Sequence, residues 1–117
     1  MANKDEIESF LNEMRAKLSV YPIFFYNREK NKQALLDLEI TPLQRDEFIQ
    51  RLTVEDYFDG PTPDTIDNTL PDYWEFGITV KGKEVYIKIS MGRANRNVIC
   101  MSFHLAERKI TYPYKNK

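Results

Sequence analysis

Histidine is the one side chain whose ordinary pKa lets it give or take a proton near neutral pH, and this chain has a single copy, His104. It closes the stretch VICMSFH (Val98 to His104), whose β-branched and aromatic content is that of a strand. Side chains in a strand alternate between faces, so His104 shares a face with Ser102 and Cys100. Two strand-like stretches precede it, YWEFGITV (Tyr73 to Val80) and KEVYIKIS (Lys83 to Ser90). On the matching face they carry Glu75, Gly77 and Thr79, then Tyr86, Lys88 and Ser90. An imidazole, a phenol, a carboxylate and an ammonium on one sheet face suit chemistry on a phosphodiester. A base activates the ribose 2′-hydroxyl, cations stabilise charge on the phosphorane, and an acid protonates the leaving 5′-oxygen. That route needs neither a metal nor a cofactor, and none is expected.

In this reading His104 is the general acid or base, Tyr86 positions or stacks the substrate, and Glu75 assists. Lys88 and the two arginines of the loop MGRANRN, Arg93 and Arg96, bind substrate phosphate, and Ser102 contributes to substrate binding. Each residue also has an ordinary reading. One face of an antiparallel sheet is commonly solvated, which accounts for Lys88. Tyr86 suits cross-strand packing, and His104 suits a polar strand end. Convergence on one face, beside a basic loop, is what favours chemistry.

The elements that must position these groups can be read along the chain. EIESFLNEMRAKL spaces Ile7, Phe10, Leu11, Met14 and Leu18 as an amphipathic helix. Pro22 stops it, and IFFY (Ile23 to Tyr26) reads as a short strand. A short helix follows around Lys30 to Leu38. In TPLQRDEFIQRL, Thr41 is an N-cap, Pro42 suits the first helical position and Gln44 completes a capping box. Leu43, Phe48 and Leu52 are expected to form much of that helix's buried stripe, with Ile49 nearby. TVEDYF (Thr53 to Phe58) is expected to add a strand, and Pro61 to Pro71 to form a long loop.

The strands sort by face. Trp74, Phe76, Ile78 and Val80, then Val85, Ile87 and Ile89, then Ile99, Met101 and Phe103 make one side almost purely apolar. The expectation is an α+β fold in which N-terminal helices cover one side of a small antiparallel sheet whose other side is open. The 117 residues are expected to form one domain, 1–117.

Composition narrows the class. Apolar residues make up 42% and charged residues 30%, ordinary for a globular protein. No apolar run approaches the roughly 20 residues of a membrane-spanning helix, and the charged start MANKDEIESF has no apolar signal core. The cytoplasm is the expected location, with no membrane partner. One cysteine, Cys100, excludes an internal disulfide framework; flanked by apolar residues, it reads as a buried small hydrophobe. The acidic stretches VEDYFDG and PDTIDN fit no calcium loop. The net charge of −1 is the sum of unlike halves. Residues 1–76 hold 16 Asp/Glu against 8 Lys/Arg, and residues 77–117 hold 9 Lys/Arg against 2 Asp/Glu. Such asymmetry points either to an anionic partner or to halves that neutralise each other across the fold.

Several local signatures follow the order of a known family. They are Leu52–Thr53 with Asp56–Tyr57, Trp74 followed by a polar residue, Val85–Tyr86–Ile87–Lys88–Ile89, and Ser102–Phe103 followed by a proton-carrying residue. Together with the element order, they resemble the MqsR family, ribosome-independent messenger-RNA-cleaving toxins of bacterial toxin–antitoxin pairs with a RelE/YoeB-like fold. The resemblance implies a metal-independent endoribonuclease acting on single-stranded mRNA. It also implies a cognate antitoxin with a zinc-binding half and a helix-turn-helix half. The family's catalytic tyrosine falls on Tyr86. Its lysine after Ser-Phe becomes His104, its glutamine after the tryptophan becomes Glu75, and a lysine expected beyond the Asp-aromatic pair falls near Asp59. Lys88, Arg93 or Arg96 would then substitute for that lysine. A non-catalytic module binding RNA or protein on the same face stands as the alternative. A third reading is an adaptor whose basic tail, ERKITYPYKNK, docks an acidic partner.

Overall fold

A computed structural model describes residues 1–115. These residues form three α-helices and one five-stranded sheet. In chain order they are α1 (Lys4–Leu18), β1 (Phe24–Phe25), α2 (Glu29–Leu38), α3 (Pro42–Gln50), β2 (Tyr57–Thr62), β3 (Tyr73–Val80), β4 (Lys83–Ser90) and β5 (Ile99–Leu105). The fold is α+β, with the helices N-terminal to most of the sheet.

Local chemistry explains the helix ends. Asn3 and Glu6 cap α1 reciprocally, and Thr41 and Gln44 do the same for α3, with Pro42 opening the helix. The α1 stripe buries Ile7, Phe10, Leu11 and Met14, and Phe10 stacks on Trp74 with ring centroids 4.6 Å apart. The expected α3 stripe departs at one residue: Ile49 and Leu52 are fully buried and Phe48 packs against the core, while Leu43 is 69% exposed. Arg45 adds a cation to the inward side, its guanidinium lying 3.5 Å over the Phe25 ring.

The sheet order is β1-β5-β4-β3-β2. Four strands form the antiparallel meander, but β1 runs parallel to β5, so the sheet is mixed rather than antiparallel. Both helices and the meander separate these two strands in the chain; with no hairpin to dictate direction, either direction was open. β2 also starts later than expected. Asp56 accepts hydrogen bonds from the Thr53 amide and hydroxyl at 2.9 and 3.2 Å, closing a short 3-10 turn at Val54–Asp56 before the ladder begins. The strand then runs through Gly60 and Pro61 into the expected loop. An edge strand tolerates the missing amide of Pro61. Gly60, at φ +106°, is needed there, because a Cβ would meet the Tyr73 carbonyl at 2.8 Å.

The third correction concerns β5. Lys88 pairs with Ser102 but Ile89 pairs with Cys100, so a bulge absorbs one residue. Past it the faces exchange. Cys100 joins the apolar core, fully buried, and Ile99 joins the polar face through its pairing with Ser90. Burial pushes the Cys100 thiol up to about 12, which makes it the inert small hydrophobe expected from its neighbours.

Asn31 of α2 holds this bulge. Its amide donates to the Tyr26 and Met101 carbonyls at 3.0 and 3.1 Å, and its carbonyl accepts from the Phe103 amide at 3.0 Å. β1 is two residues long, so the β5 edge beyond Cys100 has no strand beside it. One buried side chain supplies the missing ladder.

Candidate functional site

The polar face carries Glu75 on β3, Tyr86 and Lys88 on β4, and Ser102 and His104 on β5. Register brings them together: Glu75 opposes Lys88, Tyr86 opposes His104, and Lys88 opposes Ser102. Tyr86 and His104 rings lie 5.5 Å apart. The Tyr86 hydroxyl donates to Glu75 Oε2 at 2.7 Å. Lys88 Nζ lies 4.1 Å over the Tyr73 ring. These five residues line one groove of about 490 Å³.

The groove is roofed at one end, where an open sheet face was expected. The segment after β5 turns back over β3, with Ile110 and Tyr112 lying on Gly77. Only a glycine leaves room there, since a Cβ on Gly77 would sit 2.5 Å from Tyr112 Oη and 2.6 Å from Ile110 Cδ1. Glu84 fastens the segment, accepting from the Ile110 amide and the Tyr112 hydroxyl, each at 3.1 Å. The tail is therefore part of the fold as far as Tyr114, whose hydroxyl donates to the Ala2 carbonyl at 2.7 Å. It is not a free arm; Asn116 and Lys117 of the expected basic tail lie outside the described residues. His104 is only 9% exposed and Ser102 only 2%.

Sequence reasoning missed several groove residues. Arg28, at the start of α2, approaches the Ser102 hydroxyl with one guanidinium nitrogen at 3.4 Å. Lys30, Asp59, Glu107, Arg108 and Lys109 also line the groove. The five cations Arg28, Lys30, Lys88, Arg108 and Lys109 outnumber the three carboxylates Asp59, Glu75 and Glu107, so the groove favours an anion. Arg28 reaches it because β1 lies beside β5, a pairing that no local pattern announces. Arg108 and Lys109 were visible as basic residues, but only the folded-back tail aims them at the sheet.

Arg93 and Arg96 are not brought to this groove. They line a separate cleft past the bulge with Phe24, Tyr26 and Asn97. Arg93 donates to Asp67 at 3.1 Å and to Thr69 at 2.6 Å, so its charge is largely met within the protein.

Hydrogen bonding assigns chemical roles. A carbonyl carries no proton, so the 3.0 Å contact between His104 Nδ1 and the Leu105 carbonyl requires hydrogen on Nδ1. Neutral His104 then keeps its lone pair on Nε2, the form a general base needs. Burial, and then the hydrogen bond to Glu75, push the Tyr86 phenol far above its usual range. Tyr86 is thus a fixed donor and stacking surface rather than a proton shuttle. On Glu107, the hydrogen bond from Lys30 at 2.6 Å holds the carboxyl below its usual value. Among the described residues, no group of three or more His, Cys, Asp or Glu converges as a metal site, and no helix is long and apolar enough to cross a membrane.

Compared with models of known families, with curated proteins and with solved structures, the chain has no match in any of the three.

Proposed function

We propose that the chain is a metal-independent endoribonuclease that cleaves single-stranded mRNA, acting as the toxin of a toxin–antitoxin pair of the MqsR kind. The observation that carries this reading is one imidazole whose Nδ1 is engaged by a carbonyl, set in a cation-rich groove against a tyrosine ring. His104 Nε2 takes the 2′-hydroxyl proton as that oxygen attacks phosphorus. Arg28 and Lys88 stabilise charge on the phosphorane, and the Lys88 ammonium protonates the departing 5′-oxygen. The P–O5′ bond breaks, leaving a 2′,3′-cyclic phosphate and a 5′-hydroxyl. Tyr86 holds Glu75 in place and offers its ring to a base. The cognate antitoxin, with zinc-binding and helix-turn-helix halves, belongs to this proposal.

The test is expression of wild type and His104→Ala in bacteria, with purified protein assayed on RNA. Wild type arrests growth and yields cyclic-phosphate ends, and His104→Ala does neither while melting at a similar temperature. Equal growth of both strains with intact RNA removes the proposal. Asp59, where the resemblance calls for a lysine, favours a second reading: a module that binds RNA here without cutting it. Salt-sensitive binding with no cleavage would select that reading.

A further inference from the structure

The polar face does not stop at His104. Phe24 on β1 pairs with Ile99, and Ile99 pairs with Ser90, two residues along β4 from Lys88. Alternation therefore carries the face on to Phe24 and Tyr26 at the sheet's edge. Phe24 is 54% exposed, and its ring meets Tyr26 edge-on at 6.2 Å. With Asn97, Arg93 and Arg96 these rings line a cleft of about 430 Å³. Tyr26 links the cleft to the catalytic groove, since the Arg28 guanidinium of that groove lies 5.5 Å over its ring.

The cleft is braced from both sides. Lys17 Nζ on α1 donates to the Met91 and Arg93 carbonyls, and the Asn97 amide donates to the Pro22 carbonyl. The loop bearing Arg96 is thus fixed to the segment that leads into β1. Arg93 is committed to Asp67 and Thr69. The Arg96 side chain has no hydrogen bond or ion pair among the described residues, so its charge is available to a ligand.

We propose that this cleft is a second nucleotide subsite. It holds a nucleotide flanking the cleavage point, with a base stacked on Phe24 or Tyr26 and a backbone phosphate on Arg96. The inference rests on the single-stranded RNA reading above and extends it from the scissile phosphate to the adjoining chain. β4 and β1 are two strand spacings apart, roughly 10 Å, within the span of a short oligonucleotide. Every base has a π face, so aromatic stacking serves any sequence, and a cation beside the rings tracks the backbone. Continuity with the cation-rich groove and the free charge of Arg96 favour a nucleic acid over a protein segment.

The probes are trimer and nonamer RNA oligonucleotides with 2′-O-methyl groups, which block the attacking hydroxyl and so report binding alone. Affinities are read by fluorescence anisotropy for wild type, Phe24→Ala, Arg96→Gln and the double variant. Neither side chain is buried, so the variants keep the wild-type melting temperature. Nonamer affinity falls about tenfold on loss of Phe24, and the salt dependence becomes shallower on loss of Arg96. Trimer affinity changes less than twofold. Unchanged nonamer binding by the double variant overturns the subsite, even where wild type cleaves RNA. Phe24-dependent nonamer binding by a wild type that cleaves nothing has the opposite consequence: the subsite stands and the nuclease reading falls.

Discussion

Asn31 hydrogen-bonds the backbone around the β5 bulge, and its replacement tests how the site is built. Its side chain is 2% exposed and makes three hydrogen bonds to backbone at 3.0, 3.1 and 3.0 Å. Each such bond contributes about 1 kcal/mol net, and more where the partner is left buried and unpaired. Asn31→Ala should therefore cost about 3 kcal/mol. For a chain of this length that is a fall in melting temperature of roughly 12 °C, at about 4 °C per kcal/mol. Asn31→Asp separates hydrogen bonding from shape. It keeps the acceptor for the Phe103 amide but turns a carboxylate oxygen toward two carbonyls that had donors. Its folded-state pKa is then raised, so its loss of stability is largest at neutral pH and shrinks as pH falls toward the unfolded value of about 4. Thermal melts followed by circular dichroism between pH 4 and 8 measure both effects. A shift below about 4 °C for Asn31→Ala, or a pH-independent Asn31→Asp, would refute the claim that this side chain stands in for a strand.

Other outcomes follow from the same geometry. The Tyr86 phenol is raised in the folded state, so its stabilising contribution is complete below the unfolded value of about 10 and is lost as pH climbs beyond it. Spectrophotometric titration should find no tyrosinate signal removed by Tyr86→Phe until the protein unfolds, and the pH–rate profile of cleavage should lack a phenol limb. Gly77→Ala drives a methyl into Ile110 and Tyr112 and should cost roughly 2 kcal/mol; urea denaturation measures it, with faster tryptic cleavage at Arg108 and Lys109 as the sign of an undocked tail. RNA binding that engages about four groove cations should show a log–log salt slope of roughly −3, read by anisotropy across a salt series.

The sequence alone determined what repeats locally. Helical spacing marked α1, the Thr41–Pro42–Gln44 cap marked the start of α3, and two-residue alternation put Glu75, Tyr86, Lys88, Ser102 and His104 on one face. These signals live within a few residues, where backbone geometry allows few answers. Tertiary structure decided what depends on distant partners. The bulge that turns Cys100 inward exists because Asn31, far away in the chain, satisfies the backbone it exposes. Arg28 enters the groove because β1 joins β5 in parallel, whereas Arg93 and Arg96 line a separate cleft farther along the same face, where Asp67 and Thr69 hold Arg93. Gly77 reads as a weak strand residue until Tyr112 lies on it. Face alternation is a property of one strand; which strands become neighbours, and what crosses over them, is settled by packing the whole chain.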